Sequence, residues 1–146
     1  MPTYPTFSPQ VLGLAEKTLN AILDRQLAGT GLTEPQWVTL TLAASGAATR
    51  RDQLAGRVAG ALKVNGEQAR ARIAELAAAQ LVAAPDGDGA VVKVTDAGQQ
   101  LYGTVRAAAS QVTQRLWGDL PAEDLAVAGR VLSIVTDRAN AELAGG

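Results

Sequence analysis

The chain has no cysteine and no histidine in its 146 residues. Without thiols there is neither a disulfide framework nor a thiolate metal site, and without imidazole the commonest metal ligand and general base is missing. The serines, Ser8, Ser45, Ser110 and Ser133, therefore have no partner for a familiar nucleophile–base pair. The adjacent acids Glu123 and Asp124 fall at a helix start, where the helix dipole explains them. No glycine-rich phosphate loop of the required spacing is present, since Asp86-Gly87-Asp88-Gly89 reads as a hairpin tip. Aromatic residues make up only 3% of the chain. No apolar run approaches the roughly 20 residues of a membrane span, and the opening MPTYPTFSPQ has neither a basic start nor an apolar core. These absences argue against an enzyme and lead us to expect a cytoplasmic protein without metal, cofactor or membrane partner.

What is present is mostly helix. Alanine is abundant, arginine outnumbers lysine, and the length suits one compact domain over 1–146. Ser8-Pro9 is an N-cap followed by proline at the first helical position, and Val11, Ala15, Leu19 and Ile22 recur at helical spacing up to the glycines at 29 and 31. Leu12, Leu23 and Leu27 widen that stripe, so broadly that a partner chain is expected against it. Thr33 with Gln36 has the spacing of a capping box and opens a second helix. Thr49 with Asp52, and Asn65 with Gln68, open a third and a fourth in the same way. Residues 81–83 and 90–94 predict a two-stranded hairpin around the Asp-Gly turn. Thr95 then caps a fifth helix of about twenty residues, and Pro121 precedes a sixth. In that last helix Leu125, Ala128, Leu132, Val135 and Ala139 form one apolar stripe and Val127, Val131 and Ile134 another, one for the chain's own core and one for a second subunit.

Helices followed by a hairpin over residues 33–95 make a winged helix-turn-helix within a mainly α fold of six helices and a two-stranded wing. The net charge is only −1, but Arg50 to Arg72 holds six cations against Asp52 and Glu67. A duplex rewards such clustering, because each neutralised phosphate releases counterions.

With these elements in place, the chain resembles the MarR family of winged-helix transcriptional regulators from about Ser8 to Leu143. The phrases that carry the resemblance are Leu32-Thr33-Glu34-Pro35-Gln36-Trp37, Leu54-Ala55, Leu76 with Leu81-Val82, and Val94-Thr95-Asp96-Ala97-Gly98. The resemblance implies a homodimer joined through helices at about 8–28, 95–117 and 121–144. It implies a fourth helix in the major groove of double-stranded DNA and wings at the flanking minor grooves. It also implies a small aromatic effector where the dimerisation helices meet the winged region. Two departures stand out. Aligned on Val92, Val94 and Thr95, the family's Asp-x-Arg wing motif falls on Asp86 and Asp88, so an aspartate occupies the place of the groove-entering arginine. In addition, the stretch from Val58 to Gln68 is about four residues longer than the family spacing.

The expected DNA contacts are Arg50, Arg51, Lys63, Asn65, Gln68, Arg70, Ala71, Arg72 and Lys93. Arg50 and Arg51 start a helix where cations oppose the dipole, so they call for another explanation, such as a phosphate clamp. Asn65 is a cap as readily as a contact, and Glu67 and Glu75 weaken phosphate attraction. For the effector pocket we expect Trp37, Leu19, Leu40, Thr41, Leu101 and Val105, with core packing the competing role for Trp37. The leading expectation is a ligand-responsive repressor on a palindromic operator. The alternative is a module of the same fold that binds small molecules or proteins and has weak or lost DNA binding.

Overall fold

The computed structural model describes residues 3–46 and 49–145. Among them the chain forms six helices and three short strands: α1 (Pro9–Leu27), α2 (Glu34–Ala44), β1 (Thr49–Arg50), α3 (Arg51–Leu62), α4 (Gly66–Ala78), β2 (Val82–Ala83), β3 (Val91–Val94), α5 (Asp96–Trp117) and α6 (Ala122–Gly145). Gly145 ends α6, and Gly146 lies outside the described residues.

Three helix starts follow the sequence signals. The Ser8 hydroxyl accepts from the Val11 N–H at 3.2 Å, with Pro9 next to it. Thr33 and Gln36 form a reciprocal capping box, as do Asn65 and Gln68. The start of α3 differs from the expectation. Thr49 is not its cap but part of β1, which pairs antiparallel with β3 in the register Thr49↔Val92 and Arg50↔Val91. Arg50 becomes the N-cap residue, and its N–H donates to Gln53 Oε1. The physical reason lies far along the chain: β3 has backbone groups on both edges, and the second edge takes Thr49–Arg50 as its partner. The sheet order is therefore β1-β3-β2, the expected wing pair with a third strand added.

The chain divides into two compact units, Met1–Ala109 and Ser110–Gly146, with the division inside α5. The core of the first unit is Leu40 from α2, Leu54, Ala55 and Val58 from α3, Ala69, Ile73 and Leu76 from α4, and Val82 and Val92 from the hairpin. α3 runs unbroken to Leu62, so residues 58–62 of the longer stretch are helix. The turn to α4 is Lys63-Val64-Asn65, with Lys63 in the left-handed conformation at φ 58°. α4 ends in a Schellman arrangement: Gln80 takes φ 63°, its N–H donates to the Ala77 carbonyl, and the Leu81 N–H reaches back to Leu76.

Thr95 ties three elements together. Its hydroxyl donates to the Gln80 carbonyl and accepts from the Gly98 N–H, while its own N–H donates to the Leu81 carbonyl. This brings the first turn of α5 so close to the end of α4 that a Cβ on Gly98 would overlap the Leu81 carbonyl oxygen. Glycine is required there by close approach.

In the second unit α6 buries none of its residues. The expectation that one of its two apolar stripes serves the chain's own core is not met, because Leu132 and Val135 on one stripe and Val127 and Ile134 on the other are all exposed.

Candidate nucleic-acid interface

The apolar spacing of α4 decides which side it leaves exposed. Ala69, Ile73 and Leu76 face the core, so Glu67, Gln68 and Ala74 are exposed, with Arg70, Ala71, Arg72 and Glu75 at the margins. Asn65 and Gln68 are committed to capping: Asn65 Oδ1 accepts from the Gln68 N–H at 2.8 Å and Gln68 Oε1 from the Asn65 N–H at 3.1 Å.

Every arginine expected to touch DNA has a partner within the chain. Arg50 pairs with Asp52 at 3.1 Å. Arg51 Nη1 donates to the carbonyls of Ala84 (3.1 Å) and Pro85 (3.3 Å), bracing one leg of the hairpin. That contact accounts for a cation at a helix start. The other leg is tied to the same turn of α3, because the Arg51 N–H donates to the Ala90 carbonyl and the Asp52 N–H to the Asp88 carbonyl. Arg70 Nε donates to Asp88 Oδ1 at 3.1 Å, joining α4 to the wing tip. Arg72 Nη2 donates to Glu75 Oε2 at 2.9 Å, and Gln36 Nε2 donates to the other oxygen of the same carboxylate, linking α4 to the start of α2. Arg72 Nε is buried with no hydrogen-bond partner, and its side chain lines a cleft of about 210 Å³ with Glu34, Pro35, Leu62, Val64 and Gln68.

The positive segment is thus less positive in space than in sequence. Glu75 and Asp88 lie outside Arg50–Arg72 in the chain, yet the fold sets them against Arg72 and Arg70. Lys63 in the α3–α4 turn and Lys93 on β3 are exposed. Ala71 is half-buried, on the same helix as Arg70 and Arg72.

The residues expected to form an effector pocket divide into groups. Leu40 is completely buried in the core, and Trp37 and Leu101 pack against that core. The Thr41 hydroxyl donates to the Trp37 carbonyl. Val105 is buried on α5, whereas Leu19 is exposed on α1. Two residues not expected from the sequence belong to this neighbourhood. Tyr102 stacks on Trp37 with ring centroids 5.5 Å apart at 28°, and the Arg106 guanidinium lies 5.9 Å from the Tyr102 ring centre. The available signal was an aromatic and an arginine at i, i+4 spacing in a chain with few aromatics.

Among the described residues, no helix is long and apolar enough to cross a membrane. No family model matches the sequence, and no curated protein matches it. Solved structures do. A MarR protein from Peptoclostridium difficile superposes with a TM-score of 0.76 at 16% identity, covering 97% of each chain. The PcaV transcriptional regulator from Streptomyces coelicolor, in complex with its natural ligand, gives 0.70 at 18%, covering 95% of this chain and 99% of the other. A MarR-family protein from Mycobacterium tuberculosis in complex with DNA gives 0.67 at 19%, covering 90% and 98%. Six helices, the three-stranded sheet and these superpositions together lead to one conclusion: the chain has the winged-helix fold of the MarR-family transcriptional regulators.

Proposed function

We propose that the protein is a DNA-binding transcriptional regulator, a ligand-responsive repressor that acts in the cytoplasm as a homodimer on a palindromic operator. The observation that carries this is the pairing of α4 with the wing: a capped helix with Gln68 on its exposed side and Arg70 and Ala71 at the margins, and the hairpin tip bonded beside it. In a helix-turn-helix the N-terminal residues of the second helix meet base edges, and two-fold dimers read half-sites about one helical turn apart. The DNA complex of the Mycobacterium tuberculosis neighbour supports the same use of the fold. The exposed apolar faces of α6 support self-association, since contiguous apolar surface on a soluble chain marks a partner. Around Trp37, Tyr102 and Arg106, stacked rings with a cation over one of them suit a small aromatic effector, and the ligand-bound Streptomyces neighbour supports that regulation.

Fluorescence anisotropy against fragments of genomic DNA near the protein's own gene tests the proposal. Binding to some fragments and not others, weakening steeply with salt, is expected. Equal binding to all fragments at low salt overturns it.

One observation favours a second function, a binding module of this fold with weak DNA affinity: Arg50, Arg70 and Arg72 are each neutralised by the chain's own carboxylates. The substitution Asp88→Arg separates the two. It removes the partner of Arg70 as well as reversing the charge, so it alters DNA binding if the wing lies near the duplex and changes nothing if the protein never docks there.

A further inference from the structure

Asp88 stands at the wing tip, on the family alignment at the place of a groove-reading arginine, yet the structure gives it a definite task. Its backbone is held in place, because its carbonyl accepts from the Asp52 N–H at 3.0 Å, and the neighbouring turn is closed by the Ala90 N–H on the Gly87 carbonyl. Its carboxylate takes the Nε edge of Arg70. Arg70 in turn lies back along α4 over Gly66, so closely that a Cβ on Gly66 would sit 2.9 Å from Arg70 Nη1. Two features therefore orient one guanidinium: a wing-tip carboxylate on one edge, and a first helical residue with no side chain beneath it. The pair is open to water, with side-chain exposures of 43% and 63%, so it adds little to stability and its effect is orientation.

Resting on the DNA-binding reading above, we propose that Arg70 is a base-reading residue of this protein, specific for guanine in the major groove, and that Asp88 and Gly66 are its positioning residues. A guanidinium engaged through Nε keeps its Nη1 and Nη2 donors for a second planar acceptor pair, and guanine O6 and N7 form the matching pair in the major groove. α4's first turns are the part of a recognition helix that meets base edges. Sequence reading thereby moves from the wing, which has no arginine at its tip, to a major-groove arginine that the wing supports.

The test is selection of binding sites from random duplex DNA, followed by anisotropy on the selected operator and on a scrambled duplex, with the full-length wild type and the variants Arg70→Gln, Asp88→Asn and Gly66→Ala. We expect a symmetric operator with a G·C pair in each half-site, whose replacement weakens wild-type binding by about tenfold or more. Arg70→Gln should reduce that discrimination to about twofold or less. Asp88→Asn should lower discrimination several-fold while raising affinity for the scrambled duplex, because one negative charge is removed from the docking face. Gly66→Ala should keep or raise the thermal midpoint, alanine being the better helix former, yet also lower discrimination. A purely structural role for these residues predicts no such opposition between stability and specificity. An operator with no base pair whose preference depends on Arg70, or unchanged discrimination in Asp88→Asn, overturns this inference alone. A wild type that selects no operator overturns it together with the regulator proposal.

Discussion

The two compact units solve the problem of burial differently. The first, up to Ala109, encloses Leu40, Leu54, Val58, Ile73 and Leu76 almost completely, with helices and hairpin contributing to one core. The second, from Ser110, holds a helix of 24 residues that buries none of them, although Leu125, Leu132, Ile134 and Val135 are as apolar as the core residues of the first. Helical periodicity alone therefore does not tell a stripe that the chain buries from one that stays exposed. What distinguishes them is whether the chain can bring its own apolar surface to the stripe, and for α6 a second copy of the chain is the proposed source.

Three measurements break or sharpen this contrast. The largest effect belongs to the first unit: Ile73→Ala should cost about 2–5 kcal/mol in chemical denaturation, because the site is enclosed from several sides and collapses poorly. That cost should not vary with protein concentration. Next in size, Leu132→Asp on α6 should shift sedimentation from dimer to monomer. Burying a leucine is worth about 1.5–3 kcal/mol and a two-fold interface loses it twice. Its apparent effect on thermal stability should grow as the protein is diluted, through mass action. If the wild type sediments as a monomer at all concentrations, the contrast between the units needs another cause. The smallest effect is Gln80→Gly at the end of α4. Relief of the left-handed backbone outweighs glycine's entropy cost and should raise stability by about 0.5–1 kcal/mol. A loss of stability would show that the Gln80 side chain holds the α4–wing junction in its own right.

Much of the fold was legible because its signals are local. Ser8-Pro9, Thr33 with Gln36, Asn65 with Gln68, and Thr95 each satisfy backbone groups within a turn, and all four start helices where their spacing predicts. Thr49 was misread for the same reason. Followed by Asp52 three residues on, it has the look of a cap, and only the free edge of β3 makes it a strand. The hairpin itself was visible in its Asp-Gly turn, and Gly87 does take a positive φ of 103°.

The charges of the candidate interface are visible in the sequence, and their pairing is not. Arginines at 50, 51, 70 and 72 count as four cations in any window of sequence, but the partners of three of them come from elsewhere in the chain or from the opposite end of a turn. Asp88 reaches Arg70 across 18 residues and the Ala84 carbonyl reaches Arg51 across 33. The ring pair at Trp37 shows the same limit, since Tyr102 meets Trp37 only once α5 lies against α2.

By itself, then, the sequence determined where helices begin, which of their faces are apolar, and that acids occupy the wing tip, because caps, periodicity and turn chemistry act within a few residues. Only the tertiary structure decided which charges remain for a ligand, that β3 acquires a third strand, and that α6 keeps both apolar faces exposed. Charge pairing and burial depend on distances between residues far apart in the chain, and those distances exist only after the helices have packed.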